Sequence, residues 1–185
     1  MQYITRKGSF DSGHRVMNES MKCFNMHGHT YLYELTFSFL SQEEIGYAID
    51  FKEIKRVGCQ WIDDILDHGM ILNPKDETVI LAAKATKSKL WLMSLNGHND
   101  YCNPSVENIA KEVFLAMQIL FDEQYKGVGL KIHQIRIWET PNCSTTCDTN
   151  SITTSEKSNF YHSRFEEINL YAEKKGIVEY DDRKK

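Results

Sequence analysis

The chain has 185 residues, 41% of them apolar, and carries 22 Lys and Arg against 26 Asp and Glu for a formal charge of -4. That is the length of one ordinary domain with enough apolar content to bury its own core, and a mildly acidic chain with no long basic run before its last residues is a poor partner for nucleic acid. No apolar stretch approaches the roughly 20 residues of a membrane span, and the opening MQYITRKGSF lacks the layout of a signal peptide, so a cytoplasmic protein that does not meet a membrane is expected.

Taken in chain order, residues 2–14 alternate weakly and make a candidate strand running into GSFDSGHR. Residues 31–39, YLYELTFSF, place Tyr31, Tyr33, Leu35, Phe37 and Phe39 on one parity, which is the pattern of a half-buried strand. After a turn at 42–46, Asp50 is placed to cap a helix, with Glu53 three residues later in a capping-box spacing. Phe51, Ile54, Val57, Trp61 and Ile65 then recur at helical spacing, Cys59 reads as a small buried residue among them, and the helix should end near Asp67-His68-Gly69. A second helix begins at NPSVEN and carries Val106, Ile109, Val113, Met117 and Leu120 on one stripe. A strand follows over 130–139, with Ile135, Ile137 and Glu139 on one parity. Strands, helix and strand with antiparallel signals predict an α+β domain with helices on one face of a sheet. Residues 75–101 read as a helix plus a loop, and residues 163–175 as a short amphipathic helix in a C-terminal extension. The aromatic parity of the central strand is more apolar surface than two helices need, which predicts that the sheet is closed by other subunits.

The chemistry concentrates in MKCFNMHGHTYLYELTF, residues 21–37. In extended chain His27 and His29 face one side, because side chains alternate across a strand. Two imidazoles are a common beginning of a zinc site, and a catalytic Zn²⁺ wants a third protein ligand. His14, at the end of FDSGH in the neighbouring strand and on the parity of Phe10, is the natural candidate. The alternative is a pair of hydrogen-bonded histidines near a strand end. Cys23, four residues before His27, fits either a fourth ligand that closes a structural site or an acid-base thiol beside an open metal, and spacing alone does not choose. Asp67 beside His68 offers a carboxylate-held imidazole for proton transfer, or a histidine favoured by a helix C-terminus. Glu139 is an acid where the strand pattern calls for an apolar residue; a heterocycle presenting two adjacent N–H donors, such as a guanine or pterin ring, would satisfy it, as would solvent. Five cysteines, an odd number, argue for free thiols, ligands or a nucleophile over a disulfide framework. Cys143 and Cys147 in CSTTC have no second pair and are assigned to a loop, and His98, His133 and His162 to ordinary positions.

The elements SFDSGHR, CFNMHGH, GYAIDFKEIK, LDH, NPSVENIA and WET, in this order, resemble the family of 6-pyruvoyltetrahydropterin and 6-carboxytetrahydropterin synthases over most of residues 1–147. The resemblance implies a T-fold, an antiparallel four-stranded sheet backed by two helices, with an insertion at about 75–101 and an extension over 148–185. It further implies sheets joined into a barrel, trimers stacked into a homohexamer, and Glu139 and the zinc cluster approaching one substrate from different chains. His14, His27 and His29 match the family's zinc ligands, Cys23 its catalytic thiol, Asp67 and His68 its acid-base pair, and Glu139 its pterin anchor. The short gap in CFNMHGH resembles the bacterial carboxy enzymes, whereas pyruvoyl-forming members have a longer one. The implied activity is a lyase of queuosine and 7-deazaguanine biosynthesis that converts 7,8-dihydroneopterin triphosphate to 6-carboxy-5,6,7,8-tetrahydropterin, releasing acetaldehyde and triphosphate. A 6-pyruvoyltetrahydropterin synthase and a non-catalytic module holding a structural zinc are the alternatives.

Overall fold

The structure, a computed structural model, describes residues 2–42, 44–122 and 124–177. Residue 43, in the expected turn, and residues 178–185, the end of the expected extension, lie outside the described residues.

Two long strands form the frame. β1 (Gln2–Arg15) and β2 (His27–Phe39) pair antiparallel from Gln2↔Phe39 to His14↔His27, so the histidines at both ends of the register meet. β2 also pairs antiparallel with β5 (Lys131–Thr140), which pairs with β6 (Cys143–Asp148). On the inner face Phe10, Tyr31, Leu35, Phe37 and Ile135 are buried, while the other parity stays open, with Leu32 48% exposed. The aromatic face expected to await another subunit is thus covered by the chain's own helices. The face left open is the polar one, lined by residues such as Thr5, Glu34 and Thr36.

The covering layer begins at Asp50, whose side chain accepts from the Lys52 N–H and caps α1 (Phe51–Ile54). Glu53 does not complete a capping box; its carboxylate takes the Arg56 guanidinium at 2.9 Å. One wide π turn, Lys55–Cys59, links α1 to α2 (Gln60–Ile65). Gly58 sits where a β-carbon would come within 3.0 Å of Met117 Sδ and 3.2 Å of Leu35, so this turn lies directly on the central helix and the sheet. Cys59 packs against the core but is only half-buried, a correction to the fully buried position expected of it. The central helix, α4 (Val106–Phe121), is capped by Ser105, which accepts from the Asn108 N–H.

Two segments extend the four-stranded expectation to six strands in the order β4-β3-β1-β2-β5-β6. β3 (Gly69–Leu72) runs parallel to β1 and β4 (Lys89–Leu92) runs parallel to β3, with α3 (Glu77–Ala85) crossing between them. The insertion is therefore helix and loop, as expected, with a short strand between them. The strand was missed because KLWL is too short to show alternation. Cys143 and Cys147 lie on β6, the first exposed and the second buried, so the loop assignment was also wrong.

The tail forms α5 (Thr154–Lys174), longer than the expected 163–175, and starts at a capping box in which Thr153 and Glu156 bond each other's backbone N–H groups. Phe160, Ile168 and Ala172 seat it on α4, which explains why α4 is buried nearly all round from Ile109 to Phe121. Arg164 of α5 lies over the Trp91 ring at 4.1 Å and donates to Leu92 O at 2.5 Å and Ser94 Oγ at 3.2 Å. Trp91 Nε1 donates in turn to the fully buried Glu112 of α4 at 2.6 Å, and the same carboxylate accepts from Leu95 N at 3.0 Å and from Ser94 N. Burial pushes the Glu112 carboxyl up to about 7, against the pull of those donors and of Arg164. Insertion, central helix and extension are thus one hydrogen-bonded unit.

Candidate active site

The β1–β2 register brings His14, His27 and His29 together, with one ring nitrogen of each within 4.8 Å of the others. His14 Nδ1 donates to Pro104 O at 2.8 Å and His27 Nδ1 donates to Asn25 O at 2.7 Å. A neutral imidazole has one N–H, so both Nε2 atoms present lone pairs, and they face each other at 3.0 Å. Burial lowers the pKa of His14, which keeps it neutral. The Nε2 of His29 is buried with no hydrogen-bond partner among the described residues. Two acceptors in mutual contact and a third buried ring nitrogen without a partner suit a cation between them, and three imidazoles suit zinc or a neighbouring transition ion. The carbonyls of Asn25 and Pro104 that fix the two tautomers gave no signal in the sequence, because any residue supplies a carbonyl.

Glu139 projects toward the same cluster, its Oε1 3.6 Å from His14 Nε2 within one chain. The expectation that Glu139 reaches the histidines from a different subunit is corrected by this contact. The register pairs Leu32 with Trp138 and Tyr33 with Ile137, and Glu139 follows where the β5–β6 pairing shifts between Trp138 and Thr140. Cys23 sits in a 3₁₀ turn, Lys22–Phe24, and is partly exposed. It stands outside the group of ligand atoms formed by the three histidines, yet near enough that its charge acts on the Tyr31 phenol.

Asp67 and His68 lie elsewhere. Across the β1–β2 pair Ser12 and His14 share one face with His29 and His27, and Asp11 and Gly13 share the other with Thr30 and Gly28. His68 N donates to Asp11 O at 2.6 Å, Asp67 Oδ1 accepts from Asp11 N at 2.7 Å, and Asp11 Oδ1 accepts from Thr30 Oγ1 at 2.5 Å. The acid-base pair sits beside a cleft of about 400 Å³ lined by Asp11, Ser12, Gly13, Gly28, His29, Thr30, His68 and Gly69, on the side of the sheet to which the parity of Asp11 and Thr30 points. The two glycines keep its floor bare, and a β-carbon at Gly13 would strike Met70 Sδ at 2.5 Å. His68 holds a left-handed φ of 55° and meets Asp67 Oδ2 through Nδ1 at 2.5 Å. That hydrogen bond and the carboxylate charge raise its pKa. Burial alone would raise the Asp67 carboxyl, but the Asp11 N–H and His68 together lower it. Asp11 and Thr30 were not singled out in the sequence, although their strand positions opposite one another were readable once the register was known.

No helix among the described residues is long and apolar enough to cross a membrane. In comparison with known proteins, the chain is 32% identical over 140 residues to a 6-carboxy-5,6,7,8-tetrahydropterin synthase of Rickettsia felis, covering 75% of this chain and 94% of that protein. Its fold is similar to that of an uncharacterised Wolinella succinogenes protein, with a TM-score of 0.62 at 18% identity over 80% of this chain and 98% of the other. It is also similar to Caenorhabditis elegans 6-pyruvoyl tetrahydropterin synthase, with a TM-score of 0.54 at 19% identity over 80% and 94% of the two chains. The T-fold class expected from the sequence is the one these neighbours share. A family profile described as 6-pyruvoyl tetrahydropterin synthase matches residues 3–150, the span that holds every site residue above, and the chain belongs to that family.

Proposed function

We propose that the chain is a zinc-dependent carbon-carbon lyase that converts 7,8-dihydroneopterin triphosphate to 6-carboxy-5,6,7,8-tetrahydropterin, releasing acetaldehyde and triphosphate, in the route to queuosine and other 7-deazaguanines. The observation that carries this reading is the cluster of three imidazoles, His14, His27 and His29, each with a ring nitrogen within 4.8 Å of the others, beside Glu139. A bound zinc there supplies a Lewis acid that makes substrate side-chain hydroxyls, and the carbon-bound protons beside them, more acidic. Glu139 accepts the paired N–H donors of the pterin ring and so fixes the side chain over the imidazoles. Cys23, outside the ligand cluster, is free to take a carbon-bound proton as thiolate, which supports a catalytic thiol over a fourth ligand. His68, held by Asp67, exchanges the second proton, and because it opens on the other face of its own sheet it serves the site of a neighbouring copy. A homo-oligomer, a hexamer built of two trimers, satisfies that requirement and covers the open polar face of the sheet.

The test is product analysis with dihydroneopterin triphosphate and zinc-loaded protein. Acetaldehyde and the carboxypterin are expected in equal amounts. A pyruvoyl product without acetaldehyde would place the chain with the pyruvoyl-forming members, and an inactive protein that unfolds when its metal is chelated would make the zinc structural.

A further inference from the structure

The insertion over 75–101 does more than extend the sheet, because it reaches the connection that carries the thiol. Residues 16–26 join β1 to β2, and within them Val16 N donates to Cys23 O at 2.8 Å. The backbone of the thiol turn is thus pinned to Val16, and both neighbours of Val16 are held from outside the connection. On one side, Tyr101 Oη donates to Met17 O at 2.9 Å and accepts from Asn103 Nδ2 at 3.0 Å. Met17 N donates to Asn103 Oδ1 at 3.0 Å, and Asn73 Nδ2 donates to the same oxygen at 2.9 Å, so the two ends of the insertion meet at Met17. On the other side, Arg15 donates to Asp76 Oδ1 at 3.3 Å and lays its guanidinium over the Phe24 ring at 4.2 Å. Asp76 is itself buried and opens α3, where Ile80 N donates to its carbonyl at 3.0 Å.

The connection has no other source of order of this kind. None of residues 16–26 is buried, and Met21 and Met26 stand half or more exposed. A segment that buries no side chain is drawn from the low-stability end of a fold unless hydrogen bonds and ring contacts fix it. A group that must meet a carbon-bound proton has to be held in place, since small displacements of a catalytic group are costly. We propose that the insertion is a clamp for Cys23, in which Tyr101, acting through Met17, and Asp76, acting through Arg15 and Phe24, are positioning residues for the thiol. This rests on the reading of Cys23 as the thiol that moves a proton. It gives the insertion a part in turnover while leaving the metal to the three histidines.

The experiment compares Tyr101→Phe and Asp76→Asn in zinc-loaded full-length protein, with Leu81→Ala, an exposed position on α3, as control. Tyr101 is 49% exposed, so removing its hydroxyl leaves the core as it is. Alkylation of Cys23 by iodoacetamide is followed by peptide mass spectrometry, with the exposed Cys143 and the buried Cys147 as references in the same chain. Tyr101→Phe is expected to speed Cys23 alkylation on the order of fivefold, the loss of about one hydrogen bond. Asp76→Asn, which keeps an oxygen for Arg15 but not the charge, is expected to speed it less. In both variants kcat should fall by a similar factor with KM and zinc content as in the parent, and Leu81→Ala should change none of these. A Cys23 rate equal to the parent's in both variants, an acceleration that Cys147 shares, or a faster Cys23 with an unchanged kcat would each overturn the clamp. Should the parent itself fail to turn over dihydroneopterin triphosphate, the lyase reading fails on its own, and the alkylation rates still decide whether the insertion holds the thiol.

Discussion

The two faces of the β1–β2 ribbon carry the same kinds of residue and put them to opposite uses. On the inner face, His14 and His27 donate to backbone carbonyls, burial lowers the pKa of His14, and ring nitrogens of three histidines lie within 4.8 Å of one another. On the outer face, an imidazole donates to a carboxylate, stands three-quarters exposed, and has its pKa raised. A histidine turned by a carbonyl and buried is prepared for a metal, whereas one turned by a carboxylate and left in water is prepared to hold and release a proton. One sheet separates them, so the proposed chemistry, which needs both, calls for two chains.

The largest effects come from breaking each face separately. His14→Ala, His27→Ala or His29→Ala is expected to reduce zinc, measured by elemental analysis, to a small fraction of the parent's content, with turnover lost alongside it. Cys23→Ala and His68→Ala are expected to lower turnover by on the order of a thousandfold with zinc retained. Zinc loss in Cys23→Ala equal to that of the histidine variants would make the thiol a ligand and remove its proposed role.

A smaller and more pointed effect comes from mixing inactive chains. If Cys23 and His68 serve one site from different copies, random reassembly of Cys23→Ala with His68→Ala gives both intact groups to about one site in four, and roughly a quarter of the parent activity should return. Cys23 and Glu139 lie on the same face of the same chain, so mixing Cys23→Ala with Glu139→Ala should restore nothing. Recovery in the second mixture, or none in the first, would mean that the two faces are not combined in this way.

The same contrast explains what the sequence disclosed and what it withheld. His14, His27 and His29 were legible because strand parity is a local rule and the register needed only one turn to bring them together. The α4 stripe and its Ser105 cap were legible for the same reason. Glu139 was recognised as an acid out of pattern, but which chain it faces depends on a β2–β5 register set by a bulge between Thr36 and Phe37, which no single segment announces. Placing Asp67 and His68 on the outer face required knowing that β3 runs parallel to β1, a non-local pairing.

The finest expected effect is in pH dependence, and it belongs to the outer face alone. The Asp67 hydrogen bond and charge raise the pKa of His68 above the ordinary 6.5, so the imidazolium persists to higher pH than in an unpaired histidine. Whatever stability the pair contributes is fully present below that ordinary value and is lost as pH rises through the raised one. Asp67→Asn removes the carboxylate charge and should return the His68 transition, followed by its ring proton resonance, toward lower pH. If His68 acts as the acid, the alkaline limb of the turnover profile should move in the same direction by the same amount. The inner imidazoles offer the control: His14 owes its lowered pKa to burial, away from Asp67, and zinc content across the same pH range should be unaffected by Asp67→Asn. A transition of His68 that does not fall in the variant would mean that Asp67 only holds the left-handed turn at His68 in place, and that the outer face is built for shape and not for proton transfer.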